Sequence, residues 1–302
     1  MKIFMTGGTG FVGTYLTRHL IAEGHEVTVL TPELNGTEMQ TAGLSYLIGH
    51  PAHKGPWQEA VAGHGAIVNL AGASIFSRWT PEYKQVLRSS RMETTRNLVD
   101  ALSAKGAEGV SFFSTSAVGY YGFHGDEELG ESAPAGSDFL ALLARDWEAE
   151  ARRAAEKGAR VIITRFGIVL GKSGGALGQM IPLYRKFLGG PLGSGRQWFS
   201  WVHIHDLARA FSFLLNRRDA SGPFNLCAPH PVRNRELGMA LGAALRRPSF
   251  LPAPGFMIRL ILGEFGDVLL KGQRVVPRAL LDAGFAFRYP RIEEALHEVL
   301  SP

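Results

Sequence analysis

The nine residues MTGGTGFVG, positions 5–13, restrict the fold of this chain more than any other stretch. They continue the apolar run KIFM and lead into residues 11–23, where Phe11, Tyr15, Leu16 and Leu20 recur at helical spacing until Gly24 closes the pattern. A strand that turns through Gly7, Gly10 and Gly13 straight into a helix needs glycine for the sharp turn and for close backbone approach. The helix N-terminus then offers free N–H groups to an anion, and a dinucleotide pyrophosphate is the ligand this arrangement serves. A glycine motif alone is a weak signal, and a plain tight turn is the alternative. Here strand, loop and helix fall in register.

The same rhythm continues. EVTVL, AIVNLAG, VSFFSTS and ARVIITRFG are apolar runs without alternation, as expected of strands buried on both faces of a parallel sheet. Between them, TPEYKQVLRSSRMETTRNLVDALSAKG reads as a helix capped by Thr80, with Pro81 at its first position and its end at Gly106. DFLALLARDWEAEARRAAEKG reads as another, stopping at Gly158. After Gly171 the rhythm breaks into a glycine-rich and then helical stretch. One more strand, GPFNLC, follows, and then the helix RELGMALGAALRR, which Asn234 can cap. The expected class is α/β, a Rossmann-type doubly wound parallel sheet with a small C-terminal substrate lobe. Residues 1–170 would form the dinucleotide-binding domain, completed by segments around 200–228. Residues 171–200 and 229–302 would form the lobe.

Composition narrows the ligands. The 32 basic and 27 acidic residues leave a formal charge of +5, which favours anionic ligands. The arginines are scattered and no basic run alternates with aromatics, so nucleic acid is not expected as a partner. Cys227 is the only cysteine, which excludes an internal disulfide and a thiolate metal cluster, and it reads as a small buried hydrophobe. The chain opens on a strand without a signal segment, and no apolar run approaches the ~18 residues of a membrane span. The expectation is a cytoplasmic protein with a small-molecule substrate and no membrane partner; a homodimer is left open. Past the second strand, an acid would bind the 2′-hydroxyl of NAD and an arginine the 2′-phosphate of NADP. The chain has Thr31, Pro32 and, slightly beyond, Glu33, which reads as an exposed turn residue.

TGGTGFVG, NLAGASI, RWTPEYKQVLRSSRMETT, STSAVGYYG, DFLALLARDWE, RFGIVLGKSGGAL, GSGRQWFSWVHIHDLARA and NLCAPHPVRNREL together resemble an atypical branch of the extended short-chain dehydrogenase/reductases, usually labelled "epimerase family protein". The tail, with GQRVVPRALLDAGFAFRYP, resembles that branch's C-terminal domain of unknown function over the last ~50 residues. The resemblance implies a seven-stranded sheet and NADP(H) as the usual ligand, in preference to NAD(H). Matched position by position, Gly7, Thr9, Gly10, Phe11 and Val12 would form the phosphate loop, and Thr31 would lie beside the adenosine ribose. Leu70 and Ala71 would line the adenine-ribose side, Arg91 would point at the cofactor, and Val169 would lie near the nicotinamide. Where the branch usually has an arginine, this chain has Pro32.

Such enzymes normally donate a proton through a tyrosine helped by a lysine four residues on. Here the seven tyrosines are followed at that spacing by His19, His50, Leu87, His124, Gly125, Leu188 and Glu293. Counting back from Glu148, Leu140 and Ala144 stand in the tyrosine and lysine places. Ser116 occupies the substrate-orienting serine position, with a hydroxyl satisfied by local backbone as the structural alternative. Tyr120, Tyr121 and His203 remain as substitute acids, and Trp198, Ser200 and Trp201 as pocket wall. Asp206 reads as a helix cap, Arg165 as a structural ion-pair partner and Glu131 as a remote candidate. His203 and His205 lack a third ligand, so no metal is expected. The expected function is an NADP(H)-binding oxidoreductase or epimerase acting on an unknown small substrate. Its rival is a non-catalytic dinucleotide sensor that regulates a partner.

Overall fold

The structure, a computed structural model, describes residues 1–34, 36, 38–102, 107–172 and 174–301. The first half runs β1 (Lys2–Thr6), α1 (Phe11–Ala22), β2 (Glu26–Thr31), β3 (Leu44–Ile48), β4 (Ala66–Asn69), α2 (Pro81–Ala101), β5 (Ser111–Ala117), β6 (Glu128–Leu129) and α3 (Phe139–Arg152). It continues with β7 (Arg160–Phe166), β8 (Ile168–Leu170), α4 (Gly175–Arg185), β9 (Trp198–Phe199), β10 (Trp201–His203), α5 (Ile204–Asn216), β11 (Gly222–Leu226), β12 (Val232–Arg233) and α6 (Asn234–Leu245). The tail adds α7 (Gly255–Leu262), α8 (Phe265–Leu270), β13 (Arg274–Val275), α9 (Arg278–Asp282) and α10 (Ile292–Leu300).

Seven strands form one parallel sheet in the order β3-β2-β1-β4-β5-β7-β11. The unalternating strands are buried on both faces, as their sequences require. On one face Leu16 and Leu20 of α1 and Leu207, Phe211 and Leu214 of α5 pack on Ile3, Met5, Val68 and Phe113. On the other, Leu98 and Val99 of α2, Ala151 of α3 and Trp57 cover Phe4, Ile67 and Phe112. Each large side chain so buried contributes roughly 1.5–3 kcal/mol. A third cluster, Leu177, Tyr184, Trp201, Leu237, Leu241 and Leu296 among others, forms the core of the additional C-terminal elements. Strand order reverses between β1 and β4, and there the carboxyl ends open the crevice where ligands of such sheets bind.

Local expectations meet mixed outcomes. Thr80 caps α2 by accepting from the Tyr83 N–H at 3.2 Å, and Gly158 ends the extension of α3 at φ 89°. The expected end of α2 at Gly106 lies outside the described residues. Asn234 is not a cap: it is the first residue of α6, and its Oδ1 accepts from the Leu192 N–H at 2.8 Å. Asp206 does not cap α5 either. His203 occupies that place, while the buried Asp206 carboxylate accepts from the Arg288 and Tyr289 N–H groups at 2.9 and 2.7 Å.

Candidate dinucleotide and substrate site

At the end of β1 the glycines are required by their surroundings. Gly7 sits at φ 71°, and a Cβ there would lie 2.8 Å from the Leu70 carbonyl carbon. A Cβ on Gly13 would lie 2.1 Å from the Gly7 carbonyl oxygen. The first turn of α1 contains no acid, and its N-cap, Gly10, provides no side-chain bond. The chain therefore leaves the helix N-terminus open to an anion. Phe11 takes a second role: its ring fills the space that side chains at Gly171, Gly174 and Gly175 would occupy, pinning the loop to the segment before α4. The sequence reading did not find that seat, although the three glycines mark it.

Val12, Leu70, Phe166 and Val169 are half-buried and each packs against the same core. Ala71 is half-buried beside them and Thr9 is exposed on the loop. Thr31 is buried, and its hydroxyl donates to the Glu33 carbonyl at 2.9 Å. Arg91 reaches from α2 to the carboxyl edge of the sheet. A Cβ on Gly72 would stand 3.2 Å from its guanidinium carbon. The guanidinium donates to the carbonyls of Leu87 at 3.0 Å and Ala73 at 3.1 Å and lies 5.3 Å from the Trp147 ring. Among the described residues it has no carboxylate partner, and burial lowers its pKa to about 10. A half-buried cation with no carboxylate beside it is held by backbone carbonyls alone.

The end of β5 carries a closed polar network. Ser116 Oγ donates to Glu148 Oε1 at 2.8 Å. The same carboxylate receives Arg165 Nε and Nη2 at 2.7 and 2.8 Å and Arg152 at 2.8 Å. Arg165 Nη1 donates to Tyr121 Oη at 2.8 Å, and Tyr121 donates on to Asn225 at 2.7 Å. Burial raises the Tyr121 phenol to about 12 despite the neighbouring Arg165. For Arg165, burial acts to lower the pKa, but the bonds and charge of Glu148 outweigh it and hold the group above its ordinary value. Glu131 accepts from the Asn225 and Ala279 N–H groups, and burial pushes its carboxyl up. Arg165 thus has the ion-pair role expected of it. Two hydroxyls stand apart. Tyr120 lays its ring 3.5 Å from the Arg165 guanidinium, and its Oη has no hydrogen bond among the described residues. Thr115 Oγ1, buried at the same strand end, also has none.

The aromatic segment divides. Trp198 borders a cavity of about 350 Å³ shared with Phe123, His124, Arg196, Arg233 and Lys271. Its indole N–H donates to Asp126 at 3.0 Å, and Arg233, paired with Asp126, stacks 3.8 Å above it. Ser200 and Trp201 are buried in packing instead: Ser200 bonds Gln273 and Val275, and the Trp201 indole donates to the His230 carbonyl. His203 is buried too. Its Nδ1 accepts from the His205 N–H at 3.1 Å, so Nε2 carries the proton and donates to Glu298 of α10 at 2.8 Å. Burial lowers its pKa, with Glu298 opposing. Both ring nitrogens are thereby occupied, Nδ1 in capping α5 and Nε2 in fastening α10. Cys227 is buried, with its thiol raised by desolvation, and no group of three or more metal-ligating side chains occurs among the described residues.

A parallel sheet with a switch point over a glycine-lined helix start defines the class: a Rossmann-type α/β protein with additional C-terminal elements. The pattern of the NAD dependent epimerase/dehydratase family matches residues 3–227, and a domain of unknown function, DUF1731, matches residues 253–299. The chain belongs to this family, in the epimerase family protein branch that carries that C-terminal domain. It is 40% identical over 302 residues to the chloroplastic "Epimerase family protein SDR39U1 homolog" of Arabidopsis thaliana, covering 99% of this chain and 87% of that protein. An epimerase family protein of Staphylococcus aureus is 38% identical, with 99% of each covered. Among solved structures, human epimerase family protein SDR39U1 (isoform 2) with NADPH is 35% identical, with a TM-score of 0.87 and 99% of both chains covered. The UDP-glucose 4-epimerase of Thermus thermophilus with NAD, at 21% identity and a TM-score of 0.81 over 99% of this chain and 98% of that one, shares the fold.

Proposed function

We propose that the protein binds a nicotinamide dinucleotide, NADP(H) in preference to NAD(H), and uses it to oxidise, reduce or epimerise a small substrate. The half-buried guanidinium of Arg91 beside the glycine loop carries this reading, since it is a cation without a carboxylate partner among the described residues. The residues present fit the cofactor. Gly7 and Gly13 keep the cradle clear, the start of α1 receives the pyrophosphate, and Val12, Leu70 and Val169 are half-buried apolar side chains. The orphaned Thr115 hydroxyl awaits a polar partner. The human relative solved with NADPH supports the choice of dinucleotide. So does the end of β2, where Thr31 is turned into the backbone and the Glu33 side chain is exposed.

When bound, the nicotinamide supplies or accepts a hydride. The chain's part is to position the substrate and to move a proton, and of the two unbonded hydroxyls the Tyr120 phenol suits that better than the Thr115 alcohol. The cavity beside Trp198, with Arg196, Arg233 and Lys271 on its walls, favours a substrate bearing an anionic group. Ser116 holds Glu148, and no Tyr/Lys pair stands at Leu140 and Ala144. Those two facts favour the second reading, a protein that binds the dinucleotide without turning it over.

Calorimetric titration tests the binding claim. NADPH should bind more tightly than NADH by about tenfold, a difference of roughly 1.4 kcal/mol. Failure of both to bind at millimolar concentration would sink the reading, and a clear NADH preference would reverse the cofactor choice. Arg91→Met, which keeps a flexible chain against Trp147, should weaken NADPH binding by about 1.5–3 kcal/mol, the worth of a charged hydrogen bond. The same variant should leave the ligand-free protein about as stable, because a half-buried cation without a carboxylate partner among the described residues is removed. Collapse of the melting temperature would instead make Arg91 a structural residue.

A further inference from the structure

We infer that one face of the C-terminal elements, built from residues 183–188 and 246–261, rests on an anionic lipid surface. Outward-facing apolar side chains concentrate there. On α7, Phe256, Leu260 and Ile261 are 71%, 75% and 63% exposed, with Met257 beside them, while Ile258 alone among these is buried. A helix should turn its polar face to water, and this one turns its apolar face outward. The strip continues through Phe250, 73% exposed, and Leu251 to Leu183, Phe187 and Leu188. Backbone bonds join the two segments, Leu251 N to Gly189 O at 3.2 Å and Ala253 N to Pro191 O at 2.9 Å.

The two segments themselves carry charge of one sign. Residues 183–190 and 246–262 contain Arg185, Lys186, Arg246, Arg247 and Arg259 and no aspartate or glutamate. Arg259 pairs with Asp267, whereas the other four are exposed and have no acidic partner among the described residues. The Arg247 guanidinium lies 4.8 Å from the Phe187 ring. Phe187 at φ 62° and Arg246 at φ 53° are the only non-glycine residues at positive φ among those described, so the backbone is strained where this face is shaped.

A second copy fits poorly. A two-fold contact would set this patch against itself, and its unpaired cations would meet cations with no acid to neutralise them. Anionic headgroups supply the missing charge, and their acyl boundary takes up the aromatic and aliphatic side chains. The contact is peripheral, because no helix among the described residues is long and apolar enough to cross a membrane. The expectation of no membrane partner rested on spanning segments alone.

Co-sedimentation of the whole protein with vesicles tests the inference. Equal parts of phosphatidylglycerol and phosphatidylcholine should carry down at least about tenfold more protein than phosphatidylcholine alone, an advantage that high salt erodes. The double variant Phe256→Asp with Leu260→Asp should abolish sedimentation while leaving melting temperature and NADPH affinity unchanged. Three results would overturn the proposal: no sedimentation with anionic vesicles, equal sedimentation with both lipids, or a double variant that sediments like the unaltered protein. A dimer in ultracentrifugation that the double variant splits, without vesicle binding, would also overturn it and make the face a contact between copies.

Discussion

Arg165→Ala should destabilise the protein by about 3–5 kcal/mol, the cost of stranding one member of a buried ion pair. Arg165 is 2% exposed and Glu148 1%, and two bonds of 2.7 and 2.8 Å join them side by side. Removing the guanidinium leaves the carboxylate with only the Ser116 hydroxyl and the half-exposed Arg152. It also takes the donor from Tyr121 Oη and the cation from beneath the Tyr120 ring, loosening the junction of β5, β7 and α3. Chemical denaturation at neutral pH measures the loss as a lowered midpoint at constant slope. Replacing both partners, Arg165→Met with Glu148→Leu, should cost less than the single change, because no charge is then left buried. A single variant within about 1 kcal/mol of the parent, the range of an exposed pair, would show that the network contributes little to stability.

That network explains where sequence reading succeeded and where it stopped. β1, β4, β5 and β7 were legible because strands buried on both faces are written as continuous apolar runs. β3 was not seen. LSYLI lies at the sheet edge with Ser45 and Ile48 exposed, so it lacks that continuous signature. The glycine loop was legible because its spacing is local. The partner of Ser116 was not, because Glu148 lies 32 residues away and only the packing of α3 on β5 brings them together. One clue was present: an arginine in IITRFG, near the end of a buried strand, requires a buried acid somewhere. Asp206 and Asn234 were read as caps from position alone, yet each satisfies backbone groups of a distant segment, which no local rule can reveal. Arg91 was read as a cofactor residue from resemblance. The structure shows a half-buried guanidinium with no carboxylate partner among the described residues, which is compatible with that reading and does not decide it.

The last expectation concerns the proton. Elimination leaves few donors at the carboxyl edge. Ser116 gives its hydrogen to Glu148, and Tyr121 gives its own to Asn225 while accepting from Arg165. Both nitrogens of His203 are engaged, and the carboxylate of Glu131 holds two backbone N–H groups. Leu140 and Ala144 carry no proton to give. Tyr120 alone combines a position on the loop after β5 with a hydroxyl free of bonds among the described residues, held by its ring against Arg165. Tyr120→Phe keeps that ring contact and removes one oxygen, so fold stability and NADPH affinity should both stay close to the parent values. Turnover of whatever carbonyl substrate a screen with NADPH reveals should fall by about 10²–10⁴-fold, the usual contribution of a positioned general acid. The measurement is the rate of NADPH consumption in parent and variant at saturating dinucleotide. A variant that retains its rate within a few-fold would take the proton transfer away from Tyr120 and assign it to water or to the unbonded Thr115 hydroxyl, because Ser116 and Tyr121 are committed to the network that holds α3 and β7 together.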